Sequence, residues 1–185
     1  MNTNLIVIQH FATPLGQMLA GATDNGLCLL EFSDCTTLAA ELKNLQRLLK
    51  ANMCYGENDR TCQTEQQITQ YFSGKLRTFN IPLCHPGTPF QQSVWQTLQT
   101  VPYGQTISYQ EEAIRLGNPK AVRAVATANS TNRISIIIPC HRVIGKDGSL
   151  TGYGGGLERK RCLLEHEQNH ISNIQTETTE TPPQK

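Results

Sequence analysis

Helix starts crowd the second half of the chain, and they constrain its fold more than any other feature. Thr88-Pro-Phe-Gln91 places an N-cap residue, a Pro at the first helical position and a Gln at the third, which is a capping box with proline. Ser108-Tyr-Gln-Glu111 repeats the box, and Asn118-Pro119 supplies another cap followed by Pro. Val101-Pro-Tyr-Gly104 and Gly117 are the intervening stops. A chain punctuated in this way makes short helices joined by tight turns. The spacing predicts helices over 88–100, 108–117 and 119–129, and the last two, across Gly-Asn-Pro, resemble a helix-turn-helix.

The first third reads differently. Leu5–His10, Gln17–Ala22 and Leu27–Phe32 are short apolar runs separated by Thr13-Pro-Leu-Gly16 and Asp24-Asn-Gly26. Asn-Gly is a tight-hairpin signal. Leu38, Leu42, Leu45, Leu48 and Leu49 recur at helical spacing and predict a helix near 36–51. Residues 52–63 read as a polar loop, 64–73 as a second helix, and 74–87 as a linker with a domain boundary near 85. Farther on, Ile134–Ile138 reads as a buried strand or extended segment, 152–156 as a Gly-rich loop, and 157–167 as a last helix. From Gln168 the tail has no core-forming pattern and reads as disordered.

Composition removes several classes. With 185 residues the chain can bury a core without disulfide staples. No apolar run approaches the roughly 18 residues of a membrane span, and the N-terminus has no signal-peptide pattern. Seven Cys, an odd number without Cys-x-x-Cys, point to free thiols in a reducing cytoplasm. No zinc-type spacing stands out, so neither a metal nor a cofactor is expected.

Charge is uneven. Residues 1–85 carry six Lys/Arg and seven Asp/Glu, whereas 86–167 carry nine and six. All nine of those basic residues lie within 115–161, against Asp147 and Glu158 alone. Such a stretch suits a polyanion, although a solvated basic face would look the same. At about 100° per residue, Val122, Val125 and Ala126 fall on the core side of the 119–129 helix. Lys120, Ala121, Arg123, Ala124, Thr127 and Ala128 fall on the other. A helix is about 10–12 Å across with ordinary side chains, and the DNA minor groove is about 6 Å wide. An alanine face can approach a widened minor groove; Ala is also simply the best helix former.

Ile138-Pro-Cys-His-Arg-Val-Ile144 is the sharpest segment for chemistry. A thiolate is the reactive form of Cys, and a neighbouring imidazole and positive charge ease its formation. In a strand Cys140 and His141 would point to opposite faces, so contact needs a turn or a bridging water. An orienting carboxylate could come from Glu165 or Glu167. A buried structural Cys is the plain alternative, and the other six Cys read as structural.

These blocks together resemble one family. Ile-Ile-Ile-Pro-Cys-His-Arg-Val-Ile, Phe90-Gln-Gln-Ser-Val-Trp95, Val101-Pro-Tyr-Gly-Gln-Thr-Ile-Ser-Tyr109, Gly117-Asn-Pro-Lys-Ala-Val-Arg-Ala-Val125 and Leu150-Thr-Gly-Tyr-Gly-Gly-Gly-Leu-Glu-Arg-Lys160 resemble, in order, the O6-alkylguanine-DNA alkyltransferases. Thr13-Pro-Leu-Gly16 and Asn25-Gly-Leu27 are similar to the looser N-terminal pattern. The resemblance implies an α+β fold: an N-terminal ribonuclease-H-like α/β domain over 1–85 and a C-terminal, mainly helical, winged-helix-like domain with a helix-turn-helix over 86–167. It implies that Cys140 accepts the alkyl group, that His141 deprotonates it through a water, and that Glu167 orients His141. Asn132 would brace the segment and Tyr109 would hydrogen-bond the leaving guanine. Arg123 would fill the gap left by a flipped nucleotide, with the 118–129 helix, its Lys120, Ala121, Ala124, Thr127 and Ala128 included, in the minor groove. Pro139, Tyr153, Gly154 and Gly155 would close around the base. The implied partner is double-stranded DNA carrying O6-alkylguanine, read with little sequence specificity by a monomer; action on O4-alkylthymine stays open.

Gly154 stands where relatives often carry Ser or Ala, which leaves the tolerance for bulky alkyl groups open. Thr23 and Cys28 stand where some relatives carry zinc ligands, without the full set. The tetra-Cys module of adaptive-response regulators is absent. Three other readings compete. A non-catalytic alkylguanine-binding relative replaces the reactive Cys, often by Trp. A winged-helix regulator wants base-reading side chains on its recognition helix. A Cys-His hydrolase would not need the helix-turn-helix.

Overall fold

The computed structural model describes residues 4–177, with only the backbone course for 172–177. Its N-terminal part is a four-stranded sheet in the order β3-β2-β1-β4. Strands β1 (Asn4–Thr13), β2 (Gly16–Thr23) and β3 (Gly26–Phe32) form an antiparallel meander. Helix α1 (Leu38–Leu49) then crosses over to β4 (Ala51–Tyr55), which pairs parallel to β1. The sheet buries both faces. Ile6, Ile8, Leu19 and Leu29 pack on one side with Leu38 and Leu45 of α1. Met18, Ala20, Leu27, Leu30 and Phe32 pack on the other with Ile68 and Tyr71 of α2 (Asp59–Phe72). A bulge between Gly21 and Ala22 shifts the β2–β3 register and sets Cys28 and Leu29 on the same face.

The polar-loop reading of 52–63 is corrected. Strand β4 is an edge strand with a half-exposed pattern, and its pairing is with residues about fifty positions away, so no local periodicity announces it. Helix α2 begins at Asn58 through a box closed by Thr61, not by Glu or Gln.

Two helices of the second half follow their caps closely. Helix α3 (Pro89–Gln99) starts at the Thr88 box and α4 (Tyr109–Arg115) at the Ser108 box; each such cap is worth about 1 kcal/mol. Helix α5 spans Val122–Ser130, three residues later than expected. Asn118-Pro-Lys-Ala121 instead closes a turn, with Ala121 N–H donating to the Asn118 carbonyl at 3.0 Å. The two-stranded parallel pair β5 (Ile107–Ser108) and β6 (Val143–Ile144) lies beside them. Helix α6 spans Leu157–Glu177, so the disordered-tail expectation fails over 168–177. His166 and His170 explain part of this: their rings pack 4.3 Å apart, and His166 reaches the Tyr71 carbonyl. The rest of the tail lies outside the described residues.

The expected linker is no free connection. Leu27 N–H donates to the Pro82 carbonyl and Cys84 N–H to the Leu27 carbonyl, both at 2.8 Å. Residue 134 continues the same edge through a bridge to Leu30. The open side of β3 is thereby covered by later parts of the chain, as an edge must be. One apolar cluster runs from Phe11 and Phe32 through Trp95, Val125 and Ile138 to Leu163, so the two halves share a core. No described helix is long and apolar enough to cross a membrane.

Candidate active site and nucleic-acid interface

Ile134–Ile138 is buried as expected but is a turn, not a strand. Ile136 has φ of 73°, a conformation that costs a β-branched residue on the order of 1–2 kcal/mol. Bonds on both sides hold it there. Ser135 N–H donates to the Leu30 carbonyl at 2.8 Å and Ile138 N–H to the Ile134 carbonyl at 3.0 Å. Asn132 braces the inside: its Oδ1 accepts from Ile134 N–H at 3.0 Å, and its Nδ2 donates to the Ile138 carbonyl at 2.8 Å and to Cys140 Sγ at 3.2 Å.

Pro139 then leads into a single 3-10 turn, Cys140–Arg142. The turn resolves the strand problem, because neighbouring side chains no longer alternate. Cys140 and His141 are both buried. His141 Nε2 lies 2.9 Å from Glu167 Oε1. Its Nδ1 is buried with no partner among the described residues. Glu167 also accepts from Tyr71 Oη at 2.9 Å, Gly104 N–H at 2.8 Å, and Arg142 Nε and Nη2 at 3.0 and 2.9 Å. Glu165 is exposed and pairs with Arg161 at 2.7 Å, so Glu167 is the carboxylate that meets the imidazole.

The electrostatics follow. Burial alone would raise the Glu167 carboxyl, but its hydrogen bonds to His141 and Arg142 and the Arg142 charge outweigh that and hold it far below its ordinary range. Burial keeps His141 neutral by lowering its pKa. The ring therefore donates Nε2–H to Glu167 and leaves Nδ1 as a lone pair, a base aimed away from its orienting carboxylate. Burial pushes the Cys140 thiol up to about 11, against the lowering contact of Asn132. A resting thiol of this kind needs a base to become a nucleophile.

Two family models match the chain. "6-O-methylguanine DNA methyltransferase, ribonuclease-like domain" covers residues 6–84, and the DNA binding domain of the same description covers 89–169. The chain belongs to the 6-O-methylguanine DNA methyltransferase family. It is 43% identical over 160 residues to the methylated-DNA–protein-cysteine methyltransferase of Methanosarcina barkeri, covering 86% of this chain and 95% of that one. The constitutive enzyme of Bacillus subtilis is 40% identical, with 82% and 88% covered. Among solved structures, Mycobacterium tuberculosis OGT in complex with DNA matches with a TM-score of 0.77 at 38% identity, covering 89% of this chain and 94% of that one. These matches bear out the α+β fold read from the sequence.

In this methyltransferase the loop over 151–156 is anchored by side chains of α4 and α6. Tyr109 Oη donates to the Thr151 carbonyl at 3.2 Å. Lys160, fully buried, donates to the carbonyls of Val143 and Thr151 at 2.5 and 2.6 Å; burial lowers its pKa to about 8, while nearby Cys140 opposes the shift. Arg159 bonds Asp34 with two 2.8 Å contacts and stacks over Phe32 at 4.2 Å. Gly155 must be Gly, because a Cβ there would lie 2.8 Å from Tyr153 and 2.9 Å from Phe32. Gly154 is different: the nearest atom to a Cβ would be Glu31 Oε2, at 3.9 Å.

The structure divides the residues that the sequence assigned to a DNA face. Arg123, Ala124 and Thr127 are exposed on α5, and Lys120 is exposed in the preceding turn. Ala121 is half-buried at the helix N-terminus. Ala128 is corrected: it is buried, and its carbonyl accepts from Trp95 Nε1 at 3.0 Å. The helix wheel misplaced it because α3 covers that edge. The basic stretch also shrinks. Arg142, Arg159, Lys160 and Arg161 are bound inside the protein or in ion pairs, while Arg115, Lys120, Arg123 and Lys146 stay exposed. Sequence reasoning missed Glu112, which is buried, accepts from Asn129 Nδ2 at 2.7 Å and ties α4 to α5. It missed Glu31 for the same reason: a buried carboxylate inside an apolar strand carries no local motif.

Proposed function

We propose that Cys140 is the alkyl acceptor in a single-turnover repair of O6-alkylguanine in DNA. The observation that carries the reading is the unpartnered His141 Nδ1, left free by a ring whose other nitrogen is engaged by Glu167. A water between Nδ1 and Sγ passes the thiol proton to His141. The sulfur then attacks the alkyl carbon, the S–C bond forms, and the C–O6 bond breaks. The electron pair leaves with guanine, which is protonated with the help of Tyr109. The thioether has no leaving step, so each molecule acts once. No cofactor enters this scheme.

The target lies inside the duplex and must be extruded, at a cost of a few kcal/mol. Exposed Lys120 and Arg123 with the small Ala124 favour approach through the minor groove, with phosphate contacts that carry no sequence information. Arg123 fills the vacated stack, and Pro139, Tyr153, Gly154 and Gly155 enclose the base. The chain acts as a cytoplasmic monomer, with a functional boundary near residue 85. The test is intact mass with peptide mapping after incubation with an O6-methylguanine duplex. One methyl per protein, confined to Cys140, is expected. Tight lesion binding without a mass change would replace this reading with a non-catalytic sensor.

A further inference from the structure

The N-terminal sheet sends one polar side chain to the acceptor turn. Glu31, next to last in β3, is 2% exposed. Its Oε2 accepts from Ser135 Oγ at 2.8 Å, and its Oε1 accepts from Phe32 N–H at 2.8 Å. Beside it, Leu30 N–H donates to the Arg133 carbonyl and Ser135 N–H returns to the Leu30 carbonyl, both at 2.8 Å. The turn bearing Cys140 is thus gripped by Asn132 from within and by residues 30–31 from the sheet. The same carboxyl is the nearest neighbour that a Cβ at Gly154 would meet, at 3.9 Å.

We propose that Glu31 is a positioning residue for alkyl transfer: it fixes the Ile134–Cys140 turn through Ser135, and its gain or loss of a proton sets how readily the Cys140 thiol ionises. An ionised carboxylate here opposes a second negative charge on the sulfur, whereas a neutral carboxyl does not. Among the described residues no cation bonds it directly. Arg159 of α6 is the nearest lowering charge and Glu41 of α1 a raising one, but burial dominates and lifts the group to about 7. Cys140 itself faces Glu31 and Glu112, which raise its pKa, and Lys160, which lowers it. Tyr109 from α4 and Tyr153 from the glycine loop also sense the sulfur.

This inference rests on Cys140 being the acceptor, and the experiment separates the two. Rates of methyl uptake from an O6-methylguanine duplex are measured from about pH 6 to about pH 9, spanning ordinary His and Cys titration, for wild type, Glu31→Gln and Glu31→Ala. Glu31→Gln keeps a hydrogen-bonding group against Ser135, whose hydroxyl can donate or accept. Its rate relative to wild type should be near one at the acid end. It should climb to about threefold to tenfold at the alkaline end, as removal of one charge near a buried thiol predicts. Glu31→Ala should be slower than Glu31→Gln throughout, because the grip on Ser135 is gone. A Glu31→Gln ratio flat across the range, or Glu31→Ala matching Glu31→Gln, overturns the role of Glu31 while wild-type uptake leaves the acceptor reading intact. Wild type that takes up no methyl overturns both. Melting curves check that Glu31→Gln folds: wild type should lose stability relative to it as pH rises from about 4.3 toward 7, since a raised carboxyl favours the folded state only while protonated.

Discussion

The turn around Cys140 and the surface around α5 lie in one half of the chain yet are built on opposite terms. In the turn nearly every polar group is engaged: Asn132, Ser135, Arg142 and Glu167 are buried and multiply bonded. On α5, Arg123, Ala124 and Thr127 face outward, and the Thr127 hydroxyl is satisfied by its own helix. Chemistry needs a nucleophile and base held in place before the substrate arrives. Binding a polymer of uniform charge needs space and loosely held cations instead. On the proposed function, preorganisation and generality are separated along about twenty residues of chain.

The comparison breaks most sharply at Cys140. Cys140→Ser should abolish alkyl uptake, read by mass, and leave duplex affinity unchanged, because a hydroxyl at this site does not ionise near neutral pH. Loss of DNA binding as well would show that the turn and the surface are one unit.

Next comes Glu167→Gln. It leaves Arg142 buried without its charge partner, which typically costs about 3–5 kcal/mol. A large fall in melting temperature and slower uptake are expected. The wild-type protein should show the linked pH effect. The folded carboxyl is depressed, so its stabilisation is present above the unfolded value of about 4.3 and is lost as pH falls below it. Acid titration of wild type against Glu167→Gln should show the two stabilities converging at low pH.

On the surface, Ala124→Leu should weaken duplex binding about tenfold or more with no change in melting temperature, if the small face is what admits the helix; unchanged affinity would move the DNA elsewhere. Lys120→Ala should be milder, lowering affinity on all duplexes alike and reducing the salt slope by about one. The smallest effect belongs to Gly154→Ser. Its Cβ meets nothing closer than 3.9 Å, so stability and methyl uptake should hold, and only the rate with bulky alkyl groups should fall by a few-fold.

Legibility in the sequence followed the range of the interaction. The Thr88 and Ser108 boxes announced α3 and α4 because a cap satisfies N–H groups within three residues. Asn118-Pro119 misled by three positions, because the same residues also make a good turn. Strand β4 was invisible because only its pairing with β1 defines it. The continuation of α6 past 167 is held by a segment far away in the chain, since Arg77 Nη2 donates to the His170 carbonyl at 2.8 Å.

By itself the sequence determined the alternation of short helices, the hairpin meander, the absence of an apolar span and the Pro-Cys-His-Arg segment. The family followed from those blocks. Tertiary structure decided the rest: that Glu167 and not Glu165 meets His141, that Ala128 is buried, that Arg142 and Lys160 of the basic stretch are internal, and that Glu31 reaches Ser135 across 104 residues. Local order is set by groups a few residues apart, whose signals survive in a linear string. The charge state and orientation of a buried group are set by whatever the fold brings against it, and no window of sequence contains both partners.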